Sequence, residues 1–321
     1  MFVENINLYS YSTKVMSKVL VTGGAGFIGS HLVEKLLSRE YDVVVLDDLS
    51  KGVSKNLSKV SHLIKVVKAD VSDASTVKEV LKGVDYVVHL AALVSVQESI
   101  EKPSLYHEVN AIGTFNLLQW SAKAGVKRFT FVSSCAVYGD PKSLPIKETD
   151  PVNPLSPYAE SKLVAEEYCR AFSGQFKLGA AVLRLFNVYG PRQAYSEYSG
   201  VITRFLERLR LRQPPVIYGD GEQTRDFVFV EDVVGYAVRA LETDSKVTVN
   251  IGSAKQTTIN ELARLVQQLT GTLGMEPVHL QPKKGEIRHS LADISLLRSM
   301  LGQIPITRLE EGLGKTINSI Q

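Results

Sequence analysis

The stretch "SPYAESK", residues 156 to 162, sets a tyrosine and a lysine four residues apart. Ser156 is suited to cap a helix and Pro157 to open it, which puts Tyr158 and Lys162 one turn apart on a single face. A free phenol ionises near pH 10, so a tyrosine acting as a base near neutrality needs roughly 4 kcal/mol of help. One ammonium about 5 Å away contributes on the order of 3 kcal/mol at an effective dielectric near 20. Chance supplies about one such spacing in a chain of this composition, and a second one runs from Tyr138 to Lys142. Gly139 and Pro141 interrupt that second pair, so it reads as a turn, with Tyr138 as a packing residue.

A base of this kind needs something to work beside. The first apolar run is followed by "GGAGFIGS", in which Gly24, Gly26 and Gly29 satisfy GxGxxG and Gly23 precedes them. Between a strand and a helix, such glycines allow a tight turn and close approach of backbone N–H groups to a pyrophosphate. Asp47 ends the second apolar run 18 residues after Gly29, where a carboxylate can accept hydrogen bonds from an adenosine ribose and repels a 2′-phosphate. The pattern therefore predicts dinucleotide binding, with NAD favoured over NADP despite Lys51. A positive nicotinamide ring would then add to the effect of Lys162, which could also hold the nicotinamide ribose.

Composition narrows the function classes. The 321 residues are 44% hydrophobic and 22% charged with a net charge of +3, which fits a globular protein and gives no basic field for nucleic acid. Cys135 and Cys169 lie outside any CxxC or His-rich context, so neither a disulfide framework nor a metal site is suggested and a reducing cytoplasm is expected. No apolar run reaches the length of a membrane span. Residues 1 to 16 read as an extension, with Met16 an alternative start.

Five apolar runs, "KVLVTG", "DVVVLD", "LIKVVKAD", "VDYVVHLAA" and "RFTFVSS", alternate with amphipathic segments including "YHEVNAIGTFNLLQWSAKAG". Strands buried on both faces and separated by helices predict a doubly wound parallel sheet, the Rossmann α/β class. Beyond residue 186, Pro and Gly break the rhythm, although "FVFVEDVVGYAVRALE" and "VTVNIG" look like elements returning to the first lobe. The expected division is a dinucleotide-binding domain at 17–186 and 222–252 and a smaller, discontinuous α/β substrate lobe at 187–221 and 253–321.

These motifs, with "SSCAVYG", "LRLFNVYGPRQ", "RDFVFVEDV" and "KKGEIRHSLADI", resemble those of the extended short-chain dehydrogenase/reductases, and among them the UDP-sugar 4-epimerases. The resemblance covers nearly the whole chain from about residue 17. It implies that Ser134 bonds the sugar C4 oxygen and relays its proton to Tyr158, Lys162 assisting, while C4 passes hydride to NAD and later takes it back on its other face. NAD is regenerated in each cycle and stays tightly bound. Related dehydratases and decarboxylases carry acids directly after the Ser134 position; Cys135 and Ala136 stand there instead, which leaves simple epimerisation.

By the same resemblance Gly23, Gly26, Phe27, Ile28, Gly29, Asp47, Asp70, Val71, Leu90, Ala91, Ala92, Asn110 and Phe186 contact the cofactor. Ser95, Asn187, Val216, Tyr218, Arg225 and Glu286 meet the UDP-sugar, with Arg225 gripping the diphosphate and Lys283 replacing a second family arginine. Ser290 occupies a position where tyrosine restricts the family to plain hexoses, so a small residue implies room for a 2-acetamido group. UDP-glucuronate 4-epimerases tend to have threonine at the Asn187 position and a basic residue where Ala194 stands. A non-catalytic NAD-sensing regulator would not need Ser134, Tyr158 and Lys162 together. A homodimer through the helices around 104–124 and 156–173 is also implied.

Overall fold

The five apolar runs become strands β1 (Lys18–Thr22), β2 (Asp42–Leu46), β3 (Lys65–Val67), β4 (Tyr86–His89) and β5 (Arg128–Ser134). The computed structural model describes residues 16–195, 200–244, 246–282 and 287–320. With β6 (Gly179–Leu185) and a later strand, Val247–Ile251, they form one seven-stranded sheet in which every pairing is parallel. Helices cover both faces, as the unbroken apolar character of the strands requires. Leu32, Val33 and Leu36 of the helix Phe27–Leu37 pack on one side with Val233 and Ala237 of the helix Val230–Glu242. Val77, Leu117, Ala165 and Cys169 pack on the other. This is the doubly wound Rossmann arrangement.

Strand order reverses between β1 and β4, so a crevice opens beyond the carboxyl ends of the strands at that point. Register aligns those ends: Thr22 pairs with His89, and Ser134 with Leu185.

The helix Pro157–Gln175 starts as the sequence predicts. Ser156 Oγ accepts from Ala159 N at 3.2 Å, and Pro157 takes the first turn. Its buried face carries Tyr158, Lys162, Ala165, Glu166 and Cys169, the i, i+3/i+4 stripe that seats a helix on a sheet. The segment at 103–124 departs from the single helix its periodicity suggests. It is α-helical at Pro103–Tyr106, π-helical at His107–Ile112 and α-helical again at Gly113–Ala124. The wider turn brings Asn110 inward, where it is buried.

A smaller sheet joins β7 (Asn187–Tyr189), β9 (Thr224–Phe229) and β11 (Gln256–Thr258), and β8 (Val216–Tyr218) pairs with β12 (Val278–Leu280); β10 is the returning strand Val247–Ile251. The sequence returns both β9 and β10 to the first lobe. Only β10 enters the main sheet, beside β6; β9 lies between β7 and β11. The reason lies in Asp226, in the middle of β9. Its carboxylate is fully buried and accepts from Ser253 N and Oγ, Ala254 N and Ala292 N at 2.6 to 3.1 Å. A buried carboxylate is tolerable only where donors converge, and for Asp226 they come from Ser253, Ala254 and Ala292.

Replacing Asp226 by Asn turns one acceptor into a donor facing buried N–H groups. The expected loss is about 2–4 kcal/mol of unfolding free energy, measured from urea denaturation midpoints.

Candidate active site

The loop after β1 is shaped by close backbone packing. Gly23 has φ of +68°, and a Cβ at Gly29 would lie 2.1 Å from Gly23 O. The helix Phe27–Leu37 that follows has no side-chain cap and no acid in its first turn. Its leading N–H groups and its dipole are therefore open to an anion. Asp47 Oδ2 accepts from Ala25 N and Oδ1 from Leu49 N, both at 2.9 Å, which ties the end of β2 to the phosphate loop. The arrangement fits a dinucleotide pyrophosphate, with Asp47 beside it.

Residues 90–93 after β4 are held from two directions. Thr22 Oγ1 receives the N–H groups of Leu90 and Ala91, each at 3.2 Å, and lies 2.7 Å from His89 Nδ1. His89 Nε2 lies 2.8 Å from Thr114 Oγ1, which donates to Asn110 O at 2.5 Å. Because Thr114 spends its proton on that carbonyl, His89 must donate from Nε2 and accept at Nδ1, so the chain of bonds runs one way. From the other direction, the Asn110 amide grips Leu93 N and O, each at 2.9 Å, and donates to Ser161 Oγ at 2.9 Å; Ser161 in turn donates to Tyr158 O. Leu90, Ala91, Ala92 and Asn110 thus form one buttressed unit joined to the helix of Tyr158.

Ser134 does two things. Its Oγ accepts from Ala136 N at 3.2 Å, capping the short turn Cys135–Tyr138, and its hydroxyl acts on the Tyr158 phenol. Burial pushes that phenol up to about 12; the Ser134 hydroxyl opposes this, and the Cys135 thiol nearby reinforces it. Lys162 donates from Nζ to Val132 O at 2.8 Å and sits 4.8 Å above the Phe131 ring. Burial lowers its ammonium to about 8, against the upward pull of Glu166.

Glu166 is itself locked in place. It accepts from Ser133 Oγ at 2.5 Å and from Arg184 Nη2 at 2.6 Å. Arg184 Nη1 also donates to Tyr138 OH, which donates to Asn250 Oδ1 at 2.7 Å. Tyr138, read from the sequence as packing, is a buried hydrogen-bonding bridge between β6 and β10.

On the substrate side, Asn187, Val216, Tyr218 and Arg225 line one cavity of about 170 Å³ together with Arg204 and Gln223. Gln223 donates to Tyr218 O at 2.7 Å, and its Oε1 is a buried acceptor with no donor among the described residues. Arg225 from the cavity and Ser290 both act on the Cys135 thiol, which in turn acts on the Tyr158 phenol, so the cavity neighbours the Tyr158 site. Ser290 is buried and Phe186 lies in the core. Asp70 Oδ1 accepts from Ser72 N, and Val71 packs against Gly113. Ser95 spends its hydroxyl capping the helix Val96–Glu101. Lys283 and Glu286 lie outside the described residues. Sequence reasoning gave no role to Thr22, His89, Thr114, Glu166, Arg184, Arg204 or Gln223, although Arg184 stands in "LRLFNVYGPRQ" and Thr22 ends the strand that leads into the glycine loop.

Residues 19–252 match the NAD dependent epimerase/dehydratase family. The chain belongs to that family. Its cofactor is NAD. A UDP-glucose 4-epimerase of Mycolicibacterium smegmatis is 39% identical over 94% of this chain and 97% of its own. The UDP-N-acetylglucosamine 4-epimerase of Methanobrevibacter ruminantium M1, solved with UDP-N-acetylmuramic acid, is 37% identical with a TM-score of 0.92, covering 95% of this chain and 98% of that one. UDP-glucuronic acid decarboxylase 1 of Xenopus tropicalis is 34% identical over 96% of this chain and 73% of its own. The protein is thus a UDP-sugar 4-epimerase-like enzyme of a family that also contains decarboxylases. Among the described residues no helix is long and apolar enough to cross a membrane.

Unfolded, an imidazole protonates below its ordinary 6.5; in the fold, burial holds His89 neutral down to about 3. Between those values the unfolded chain binds the extra proton, so stability falls as pH falls. Urea unfolding at about pH 7.5 and about pH 4.5 should show roughly 2.5 kcal/mol more acid loss in the wild type than in His89→Gln.

Proposed function

We propose that this enzyme interconverts the C4 epimers of UDP-hexoses, UDP-glucose with UDP-galactose, and that it also accepts the 2-acetamido pair. The observation that carries this reading is the grouping of Ser134, at the end of β5, with the buried Tyr158, whose phenol it acts on, with Lys162 one turn on and Cys135 and Ala136 following the serine. Bound NAD supplies a hydride acceptor at C4 that later returns the hydride to the opposite face. The protein moves the proton. Ser134 bonds the C4 hydroxyl and passes its proton to Tyr158, and the same pair returns it when the 4-keto sugar is reduced. Lys162, charged below about 8, supports the phenolate and orients the nicotinamide ribose.

Epimerisation needs no proton transfer at C5 or C6, whereas decarboxylation and dehydration need a further acid, base or carboxylate partner. The Cys135 thiol, pushed up to about 12 by burial, and the Ala136 methyl supply neither. The cavity holding Asn187, Val216, Tyr218 and Arg225 suits UDP: Arg225 for the diphosphate, Gln223 Oε1 for a nucleoside N–H or hydroxyl. The small Ser290 supports the acetamido sugars, and the Methanobrevibacter enzyme acts on one. Lys283 and Glu286 are assigned to diphosphate and uridine ribose, and Asp70 and Val71 to adenine, on family likeness. The nucleotide sugar is assigned to the lobe formed by 187–221 and 253–321. A homodimer is supported by exposed Leu105 and Ile112 on the segment 103–124.

Incubating the protein with UDP-glucose, UDP-N-acetylglucosamine and UDP-glucuronate and no added cofactor should give C4 epimers of the first two, read by NMR. Tyr158→Phe should lose roughly 10³-fold in turnover while retaining NAD. Ser290→Tyr should abolish turnover of the acetamido pair and spare UDP-glucose. Epimerisation of UDP-glucuronate alone, or full activity in Tyr158→Phe, would overturn the reading.

A further inference from the structure

The UDP cavity carries a second arginine from an unexpected element. Arg204 lies on the helix Val201–Arg210, and its guanidinium carbon stands 5.6 Å from the centre of the Tyr218 ring. The other two arginines of that helix are spoken for: Arg208 Nε donates to Pro214 O at 2.6 Å, and Arg210 pairs with Glu207. Arg204 has no carboxylate partner among the described residues, and it is half-buried, lining the cavity that Arg225 also lines. Among the described residues no Asp or Glu lines that cavity. Two guanidiniums at one cavity repel each other less when an anion lies between them, and a guanidinium fork matches phosphate oxygens in shape as well as charge.

We propose that Arg204 is a second phosphate-binding residue, so that two arginines from different elements, Arg204 and Arg225, grip the diphosphate of a nucleoside diphosphate. This rests on the UDP-sugar reading of the cavity. The cation–π contact with Tyr218 holds the Arg204 fork in place before the ligand arrives, which reduces the ordering cost of binding.

The alternative role for Arg204 is a plain buttress of the Tyr218 ring, and binding to a graded set of ligands separates the two. Calorimetry on the NAD-loaded protein should be run with uridine, UMP and UDP, in the wild type, Arg204→Met and Arg204→Lys. Arg204→Met, which keeps the length and apolar bulk of the stem, should weaken UDP by roughly ten- to hundredfold and leave uridine within about twofold. It should also flatten the dependence of UDP affinity on salt. Arg204→Lys should fall between, because it keeps the charge and loses the fork. Equal losses for uridine and UDP in Arg204→Met would show a ring buttress, and unchanged UDP binding would show an idle surface cation; either overturns the proposal. A wild type that binds none of the three would instead defeat the UDP-sugar reading itself.

Discussion

The site depends on one constraint: a phenol and an ammonium are taken out of water together on one helical face. Burial drives Tyr158 up to about 12 and Lys162 down to about 8, so each is pressed towards its neutral form. Bringing the phenol to ionise at neutrality takes roughly 7 kcal/mol. No single neighbour in the fold supplies that much, and the surroundings are arranged to approach it in parts. The Ser134 hydroxyl favours the phenolate, while Val132 O, the Phe131 face and the Glu166 carboxylate support the ammonium. Glu166 keeps its charge in the core because Arg184 and Ser133 saturate it, as a buried carboxylate requires.

The same logic explains why this chemistry sits at the carboxyl ends of the strands. Residues there leave the sheet with unpaired backbone groups, and those of Leu90, Ala91 and Leu93 are taken up by side chains. Thr22 collects the N–H groups of Leu90 and Ala91, His89 passes the bond chain to Thr114, and the π-turn delivers Asn110 to the far side of the loop. The loop beside the cofactor and the helix bearing Tyr158 are therefore fixed to one another through Asn110 and Ser161. A displacement of either is transmitted to the other, because no bond in the series has a spare partner.

Much of this was legible in the sequence, wherever the signal was local. The alternating apolar runs announced the parallel sheet, the glycine spacing announced a helix start open to phosphate, and Ser156 with Pro157 announced the helix that aligns Tyr158 with Lys162. Three features escaped, each because its cause is tertiary. The π-turn at 107–112 has the periodicity of an ordinary helix and owes its extra residue to the loop that Asn110 must reach. Strand β9 has the apolar look of a core strand, and only the donors at Ser253, Ala254 and Ala292 explain why Asp226 pulls it into the second sheet. Arg204 and Tyr138 belong to no motif: one is recognised by the cavity it lines, the other by the two strands its hydroxyl joins.

The central claim is that Tyr158 stays protonated in the buried site until a second positive charge joins Lys162. Ultraviolet titration of the Tyr158 phenol, taken as the difference between wild type and Tyr158→Phe, tests it directly. With NAD bound, the phenol should ionise close to neutrality, against near 12 without it, and Lys162→Met should move it back upward. A phenol that titrates at the same pH with and without NAD would contradict the account.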